Sequence, residues 1–356
     1  MRFVHDWVIT IVYCLLACMS LVVLTSISPE RVGSQALMFI VGLVVYLYIA
    51  SQEVAVYKAF AIVGYGISLF LLVVTSFLGQ SVKGATRWLS IGGNQVQGSE
   101  LVKPLLILSF AYFLVRYPPR TPRNIAINAA LFAIPTFLVF RQPDLGTALV
   151  LSTIWLAQIA VAGLPAWLFG LGGLAGIGMI DLLPKFLKSY QLSRLESFID
   201  PYKDPLGAGY NVIQSVIAVG SGGIFGKGLG HGTQSHLRFL PERHTDFIFA
   251  SLAEELGLVG SLFVLSLLGT LLFRLLRAVT SSIATDNRLL LVGVFAYLAF
   301  QTIINIGMNI GIAPVTGVTL PLISYGGSSI LATAMSLGLA ASAIRDERRT
   351  ESLEIQ

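Results

Sequence analysis

The sequence predicts an all-α polytopic membrane protein, and three observations lead to that fold class. Hydrophobic residues make up 55% of the 356 positions and charged residues only 12%, about half the charged share of an average soluble domain. Apolar windows long enough to cross a bilayer recur along the whole chain. Lysine and arginine are distributed unevenly between the loops that join those windows.

The composition excludes an ordinary water-soluble fold, because soluble monomers expose contiguous apolar patches of only about a few hundred Å². The net charge of +5 does not indicate a nucleic-acid partner, since the basic residues lie in short clusters between apolar windows and not along one polar face. We therefore expect lipid to surround most of the chain. Residues 1–356 are predicted to form a single membrane domain.

About ten windows are candidate transmembrane helices, since about 20 apolar residues cross the hydrocarbon core. The weakest two are separated only by Gly163, Leu164 and Pro165, and a hairpin of two spans fits them better than one long tilted helix. The ten windows cover residues 7–26, 35–51, 56–78, 100–116, 124–140, 145–162, 165–183, 246–275, 288–312 and 320–344.

The orientation follows from the excess of Lys and Arg in cytoplasmic loops. With the N-terminus inside, the short outer loops carry four basic residues, Arg31, Lys83, Arg87 and Arg141. The inner loops and tails carry eleven, namely Arg2, Lys58, Arg116, Arg120, Arg123, Arg274, Arg277, Arg288, Arg345, Arg348 and Arg349. Both termini are therefore predicted to be cytoplasmic, and the large loop at 184–245, between the seventh and eighth spans, is predicted to be extracytoplasmic.

Ionisable residues at the edge of a span are costly, so each marks a candidate site. Asp246 opens the 246–275 window at its outer boundary. A helix cap, an acid placed against the helix dipole, and a functional acid all remain open for this residue. On a regular helix Glu254 lies about 80° around from Asp246 and Glu255 nearly opposite, so only Glu254 is predicted to line the same cavity.

Two further ionisable groups stand at the outer starts of spans. Glu100 and Lys103 are one turn apart and can form a local ion pair. In the second group, Arg141 is followed by Asp144, and a capped helix start with Pro143 in its first turn explains most of that pattern. Neither group decides between a structural and a functional role.

The outer loop at 79–99 adds Arg87 beside Trp88, a cation next to an aromatic ring, although tryptophan at this depth is also a common membrane anchor. All these clusters lie on the predicted outer side, where basic residues outnumber acids. This favours an anionic substrate that enters from the outer leaflet, such as a lipid diphosphate. The glycine-rich stretch at 220–228 lacks the spacing of a P-loop and predicts a flexible or tightly turning outer loop.

Breakers in the last part of the chain predict non-helical backbone at membrane depth. Asn305 and Asn309 lie four residues apart in a span and are expected to hydrogen-bond across helices. Pro314, Gly317 and Pro321 follow them. Irregular backbone is tolerated at this depth where it lines a cavity or is buried in protein, so this segment is predicted to border the same outer cavity as Asp246.

Three motifs, 142–147, 240–250 and 323–329, resemble in sequence and order the SEDS family of shape, elongation, division and sporulation proteins. The resemblance extends over the whole chain. Arg243 and His244 before the Thr245–Asp246 pair, together with a short N-terminal tail, are more similar to the RodA type than to FtsW. Gly98 stands where the family usually has a proline in its Pro-Ser-Glu-x-x-Lys motif, which here contains Glu100 and Lys103.

The resemblance implies a peptidoglycan glycosyltransferase of the bacterial cytoplasmic (inner) membrane that polymerises lipid II, an undecaprenyl-diphosphate-linked disaccharide-peptide, on the outer face for cell elongation and rod shape. It implies that Asp246 is the catalytic base, that the lipid diphosphate leaves with inversion, and that a divalent cation (Mg²⁺ or Mn²⁺) assists or is tolerated, with no metal ligand assigned. It also implies a class B penicillin-binding protein as partner. The residues assigned to substrate binding are Arg87, Trp88, Glu100, Lys103, Arg141, Asp144, Arg243 and Ser324.

Two other functions remain open from the sequence. A flippase for lipid II or another polyprenyl lipid would also need many spans, interrupted helices and intramembrane charges. Against it, the charged motifs concentrate at one membrane face, and only Glu254 and Glu255 are candidates for charges near the midplane. A non-catalytic scaffold for wall synthesis would tolerate Asp246→Asn, because a helix cap survives that exchange.

Overall fold

The structure, a computed structural model, describes residues 6–82, 85–91, 94–178, 189–207, 209–237 and 239–354. This part of the chain contains fourteen α-helices and three short strands. The helices are α1 (Trp7–Ile27), α2 (Val32–Ser51), α3 (Val54–Ala59), α4 (Ala61–Leu78), α5 (Gly98–Arg116), α6 (Pro122–Arg141), α7 (Leu145–Val161), α8 (Ala166–Gly178), α9 (Ser189–Ile199), α10 (Tyr210–Ser221), α11 (Thr233–His236), α12 (Ile248–Ser281), α13 (Thr285–Asn309) and α14 (Gly327–Glu354).

The described helices confirm an α-helical, multi-pass membrane protein. Eight of them are long and apolar enough to cross a membrane, and they correspond to eight of the ten predicted windows. The other two windows contain α7, which is apolar but has 17 residues, and α8, which is described over 13 residues. The total of ten spans therefore stays a prediction.

Breaks in the chain shorten two of the predicted spans at their N-terminal ends. The window at 56–78 is divided at Phe60, which ends α3 and precedes α4. The last span begins at Gly327 and not at 320, and residues 310–326 are not helical. That irregular segment contains the proline and glycine breakers from which the sequence predicted non-helical backbone.

Consecutive long helices run in alternating directions, so the connections gather at two ends of the bundle. At one end, which we call the loop-rich end, the guanidinium of Arg243 donates a hydrogen bond to the carbonyl of Ile27 at 3.0 Å. Segments 28–31, 142–144, 239–247 and 310–326 lie there, together with the described residues of 79–82, 85–91 and 94–97. At the opposite end, Arg274 pairs with Asp6 at 2.5 Å.

The core of the bundle consists of three helices, α5, α13 and α14. In their most apolar windows, 78%, 67% and 83% of the residues are buried, against 17% in α6 and 22% in the segment that contains α2. The three core helices begin or end at the loop-rich end. Side chains that they carry there are consequently enclosed by protein.

A small sheet covers part of the loop-rich end, which the sequence did not predict. Strands β1 (Gln80–Val82), β2 (Ala85–Ile91) and β3 (Asn94–Gln97) form an antiparallel sheet in the order β1-β2-β3. Trp88 lies opposite Gln97 in this ladder. The backbone N–H of Gln97 also donates to Ser328 Oγ at 3.0 Å, which fixes the sheet to the start of α14.

Helix α12 is interrupted at Gly257, whose φ of 65° is outside the helical region. The glycine-rich loop supplies the missing backbone partners at this break. Lys227 N–H donates to the carbonyl of Glu254 and Gly228 N–H to that of Glu255, both at 3.0 Å, while the amides of 258 and 259 donate to the carbonyls of 223 and 224. The prediction of a tightly turning loop is confirmed, and this loop is inserted into a broken helix.

Candidate functional site

Asp246 lies just before α12, and its backbone is fixed by two side chains from another helix. Asn305 Nδ2 and Asn309 Nδ2 both donate to the carbonyl oxygen of Asp246, at 3.1 and 3.0 Å. Asn309 Oδ1 accepts the N–H of Ala250 at 2.9 Å. The predicted cross-helix hydrogen bonds of the two asparagines are confirmed, and they determine where the aspartate stands.

The helix-cap interpretation of Asp246 is wrong, because α12 begins at Ile248 and Phe247 occupies its N-cap position. The same boundary removes the basis for the helical spacing between Asp246 and Glu254, since Asp246 is not on the helix. A structural capping role therefore does not explain an acid at position 246.

The irregular segment 314–326 supports the two residues that precede Asp246. Ser324 Oγ donates to the carbonyl of Thr245 at 2.7 Å, and the N–H of Tyr325 donates to the carbonyl of His244 at 2.8 Å. Ser324 is buried and its hydroxyl also accepts the N–H of Leu320. This geometry gives Ser324 a positioning role beside the aspartate.

Gly317 brings the Asp246 carboxylate and an unpredicted arginine to the same place. A Cβ atom built on Gly317 would lie 3.7 Å from Asp246 Oδ2 and 4.0 Å from Arg194 Nη1, and Gly317 has a φ of 73°. Arg194 belongs to α9 in the large loop. The sequence analysis placed residue 194 only within the large loop at 184–245, so this cation beside the acid was missed.

A second polar group surrounds Asp144, which caps α7. Its Oδ1 accepts the N–H of Thr147 at 3.2 Å, and its Oδ2 accepts hydrogen bonds from Ser99 Oγ at 2.8 Å, Gln97 Nε2 at 3.0 Å and Thr147 Oγ1 at 3.0 Å. The capped helix start is confirmed, but Pro143 precedes the cap and is not in the first helical turn. Asp144 thus joins the small sheet to α7.

Glu100 and Lys103 form the predicted ion pair, but deep inside the protein and not at the interface. Their side chains are 8% and 1% exposed. The Lys103 ammonium also lies 5.4 Å from the centre of the Tyr297 ring. Glu100 Oε2 is buried and has no hydrogen-bond partner among the described residues.

Gln301 belongs to the same depth of the bundle, although the sequence did not single it out. A Cβ on Gly293 would touch Ile107, and Lys103 packs on Tyr297. Each step of four residues towards the end of α13 therefore corresponds to a step of four residues towards the start of α5. The next turn brings Gln301 to the level of Ser99 and Glu100. Both amide atoms of Gln301 are buried without a hydrogen-bond partner in the described ranges.

Segment 314–320 connects the two polar groups. A Cβ on Gly146, in the first turn of α7, would meet the carbonyl oxygen of Thr316 at 2.7 Å, while Gly317 borders Asp246. Asp144 and Asp246 therefore flank one stretch of irregular backbone. This agrees with the prediction that the segment borders the cavity of Asp246.

The remaining predicted site residues are distributed around this region. Arg243 directs its guanidinium to Ile27 and joins the Asp246 segment to α1. Arg141 is exposed at the end of α6. Trp88 is half-buried in β2. Arg87 is in the same strand, and its side chain lies outside the described part of the chain, as does Lys83 as a whole.

The prediction that Glu254 lines the cavity of Asp246 is not supported, since both acids of α12 bind the segment 227–236 at the end of the glycine-rich stretch and beyond it. The Glu254 carboxylate is fully buried and accepts hydrogen bonds from Lys227, Thr233, Gln234 and Ser235. Glu255 accepts from Ser26, Gly230 and His236. These contacts make the pair a structural clamp.

No group of three His, Cys, Asp or Glu side chains that could hold a metal ion occurs in the described ranges. The assisting divalent cation (Mg²⁺ or Mn²⁺) that the resemblance implies stays a prediction.

Comparisons with known sequences place the chain in one family. The family model FTSW_RODA_SPOVE, described as a cell cycle protein, matches residues 3–349. The peptidoglycan glycosyltransferase MrdB of Escherichia coli K12 is 44% identical over 303 residues, which are 85% of this chain and 82% of MrdB. The probable peptidoglycan glycosyltransferase FtsW of Aliivibrio salmonicida is 40% identical over 279 residues, 77% of this chain and 69% of that protein.

Solved structures of related proteins indicate the same family as the sequence comparisons. A chain from a peptidoglycan synthase complex, studied for its coordination of polymerization and crosslinking, has a TM-score of 0.83 and 36% identity and covers 97% of this chain and 99% of its own. The rod shape determining protein RodA of Thermus thermophilus has a TM-score of 0.74 and 31% identity, covering 97% and 98%. This chain therefore belongs to the FtsW/RodA/SpoVE family of cell cycle proteins, as its motifs indicated.

Proposed function

We propose that this protein is a peptidoglycan glycosyltransferase that polymerises lipid II into glycan strands for cell elongation. The observation that carries the proposal is Asp246, an acid that is not a helix cap, whose carbonyl is held by two asparagines and whose carboxylate lies beside Gly317 close to Arg194. Its relatives named above support the same reaction class.

In this reaction Asp246 acts as the general base. Its carboxylate takes the proton from a sugar hydroxyl of the acceptor as that oxygen attacks the anomeric carbon of the donor. A glycosidic C–O bond forms, and the bond from that carbon to the diphosphate breaks with inversion, the electron pair leaving on the lipid diphosphate. A positioned base typically contributes about 10²- to 10⁴-fold.

Cations near the acid are suited to the leaving diphosphate. The Arg194 guanidinium borders the same glycine as the Asp246 carboxylate, and Arg–phosphate contacts are strong and directional. Arg87, Arg141 and Arg243 remain proposed substrate contacts at the loop-rich end. Stabilisation of the developing negative charge by such fixed cations is often the largest single contribution to catalysis.

The second polar group contributes support and a place for substrate atoms. Asp144 and Ser324 form hydrogen bonds with the surrounding backbone and side chains. Glu100 and Gln301 keep buried polar atoms unused, and Lys103 adds a positive charge beside them. We assign to this buried polar group contacts with the polar part of a substrate headgroup, and Trp88 remains a further proposed substrate contact.

The proposal includes the membrane orientation and the partner. The excess of basic residues at the opposite end favours cytoplasmic termini in the bacterial inner membrane, with the loop-rich end, including 184–245, on the outer face of a single membrane domain. A solved relative comes from a complex that joins polymerization with crosslinking, and this supports a class B penicillin-binding protein, a transpeptidase, as partner.

The proposal is tested with purified protein in lipid nanodiscs and fluorescent lipid II, with and without a class B partner. We expect glycan polymer, resolved on a gel, in at least the reaction that contains the partner. Absence of polymer in both reactions would contradict the proposal. If the same protein in liposomes then moved lipid II between leaflets, the flippase alternative would replace it.

A further inference from the structure

A pocket lies beside the segment of chain that leads into Asp246. It has a volume of about 380 Å³ and lies between the turn 28–31, which joins α1 to α2, and the segment 240–244. Ligand pockets commonly measure about 300 to 1,000 Å³. The segment that forms one wall continues directly into Asp246.

Hydrogen bonds fix both walls of this pocket. Arg243 Nε and Nη2 donate to the carbonyl of Ile27 at 3.2 and 3.0 Å, which joins the two walls. Glu242 has a φ of 52°, a costly conformation for a residue other than glycine. Its carbonyl accepts the N–H groups of Thr245 and Phe247 at 3.1 and 3.2 Å, so this conformation is held by the chain that leads to Asp246.

The second wall is also ordered before any ligand arrives. The Arg31 guanidinium lies over the Tyr325 ring at 5.0 Å, and the His244 imidazole meets the same ring edge-on at 5.7 Å. Arg31 Nε lies 3.7 Å from Glu30 Oε1, and the side chains of Arg31 and Glu30 are 38% and 70% exposed. These two charges are therefore available to a ligand from solution.

The charges around the pocket indicate the chemistry of the ligand. Two arginines, Arg31 and Arg243, face two glutamates, Glu30 and Glu242. Burial first, and Arg31 second, lower the pKa of His244 to about 4, so its imidazole adds no charge at neutral pH. A diphosphate needs a net positive site, whereas this balanced set suits a ligand that carries both carboxylates and an amine.

We propose that this pocket binds the peptide attached to the lipid-linked disaccharide and so holds the sugar beside Asp246. The inference rests on the proposed function and names the part of the substrate that this surface recognises. Arg31 receives a peptide carboxylate and Glu30 receives an amine, while Arg243 joins the two walls. Because the wall of the pocket leads into Asp246, a bound peptide restricts where the sugar can lie.

The test compares two substrates with each variant, in the presence of the partner protein. One substrate is lipid II with its full peptide, and the other carries an amide in place of the peptide. For Arg31→Gln we expect KM for the peptide-bearing substrate to rise about 10-fold with kcat unchanged, and KM for the peptide-free substrate to stay the same. Glu30→Gln, at a more exposed position, is expected to raise the first KM about 3-fold.

Arg120→Gln, at an exposed position of the opposite end, is the matched control and should change neither KM. If Arg31→Gln altered both substrates equally, or altered neither, the peptide site would be refuted. Thermal unfolding of each variant shows whether it is folded. If Arg31→Gln does not fold, Glu30→Gln still tests the peptide site.

Binding of the free peptide separates this inference from the proposed function. The soluble peptide is titrated against wild type and Arg31→Gln by ligand-observed NMR. Saturable binding that the variant weakens about 10-fold would support the pocket even if no polymer formed in any assay. No binding to wild type, or equal binding to both proteins, would overturn the pocket even if wild type polymerised lipid II.

Discussion

Asn309→Ala should remove much of the support of the Asp246 backbone. The amide of Asn309 donates to the Asp246 carbonyl at 3.0 Å and accepts the N–H of the fully buried Ala250 at 2.9 Å. Asn305 continues to donate to the same carbonyl at 3.1 Å. After the substitution the Ala250 N–H has lost its partner, while the carbonyl keeps one.

The size of the effect follows from these contacts. A hydrogen bond between membrane helices contributes about 0.6 kcal/mol on average and up to about 1.7, and a buried donor left without a partner costs about 1–3 kcal/mol. The free energy of unfolding should therefore fall by about 2–3 kcal/mol. A shift of about 1 Å in a reacting group can cost about 10²-fold, so kcat should fall by about 10- to 100-fold.

The assay measures thermal unfolding and polymerisation of lipid II well below the unfolding temperature. Asn309→Asp keeps the acceptor for Ala250 but places a buried carboxylate oxygen against the Asp246 carbonyl, so it should lose activity and lower the free energy of unfolding as well. Asn124→Ala, which removes a bond to Pro118 at the opposite end, is the control. An Asn309→Ala protein with reduced stability and unchanged kcat would refute the positioning role.

Three further predictions concern stability. Lys103→Met leaves the buried Glu100 carboxylate uncompensated and should cost about 3–5 kcal/mol; adding Glu100→Gln should recover most of the lost unfolding temperature. Gly226→Ala would place a Cβ 2.1 Å from a backbone oxygen at a φ of 80° and should lower the unfolding temperature strongly, whereas Gly220→Ala, with no neighbour within 4 Å, should not. The pKa of His244, lowered to about 4, lies below its unfolded value of about 6.5, so its stabilisation is complete above pH 6.5 and is lost as the pH falls towards 4. The free energy of unfolding of wild type should fall between pH 7 and pH 5. Allowing for the partial exposure of the imidazole, His244→Asn should make that fall smaller by about 1 kcal/mol.

The sequence predicted the long helices well because hydropathy and helix length respond to the same physical constraint, the thickness of the apolar core. It failed where backbone partners come from elsewhere in the chain. The β-strands at 80–97 have no strong alternating pattern, and the break at Gly257 is stabilised by a loop about thirty residues earlier. Neither feature can be read from a local window.

The sequence likewise indicated some residues of the candidate site and missed others. Asp246, Asp144, Glu100 and Lys103 were singled out as candidates because a charge at the edge of a span is costly. The position of Glu254 was misjudged because the helix was assumed to begin at Asp246, two residues before its actual start at Ile248. Arg194 was missed because only the fold of the large loop brings it to Gly317.

The central claim is that Asp246 removes a proton and does not serve mainly to bind substrate or cap a helix. The most direct measurement compares lipid II binding and polymerisation for Asp246→Asn, with Asp286→Asn, an ion-paired acid at the opposite end, as the matched control. We predict that Asp246→Asn binds lipid II within about 3-fold of wild type but polymerises it about 10²- to 10⁴-fold more slowly, while Asp286→Asn does both normally. Polymerisation by Asp246→Asn at the wild-type rate would contradict the claim.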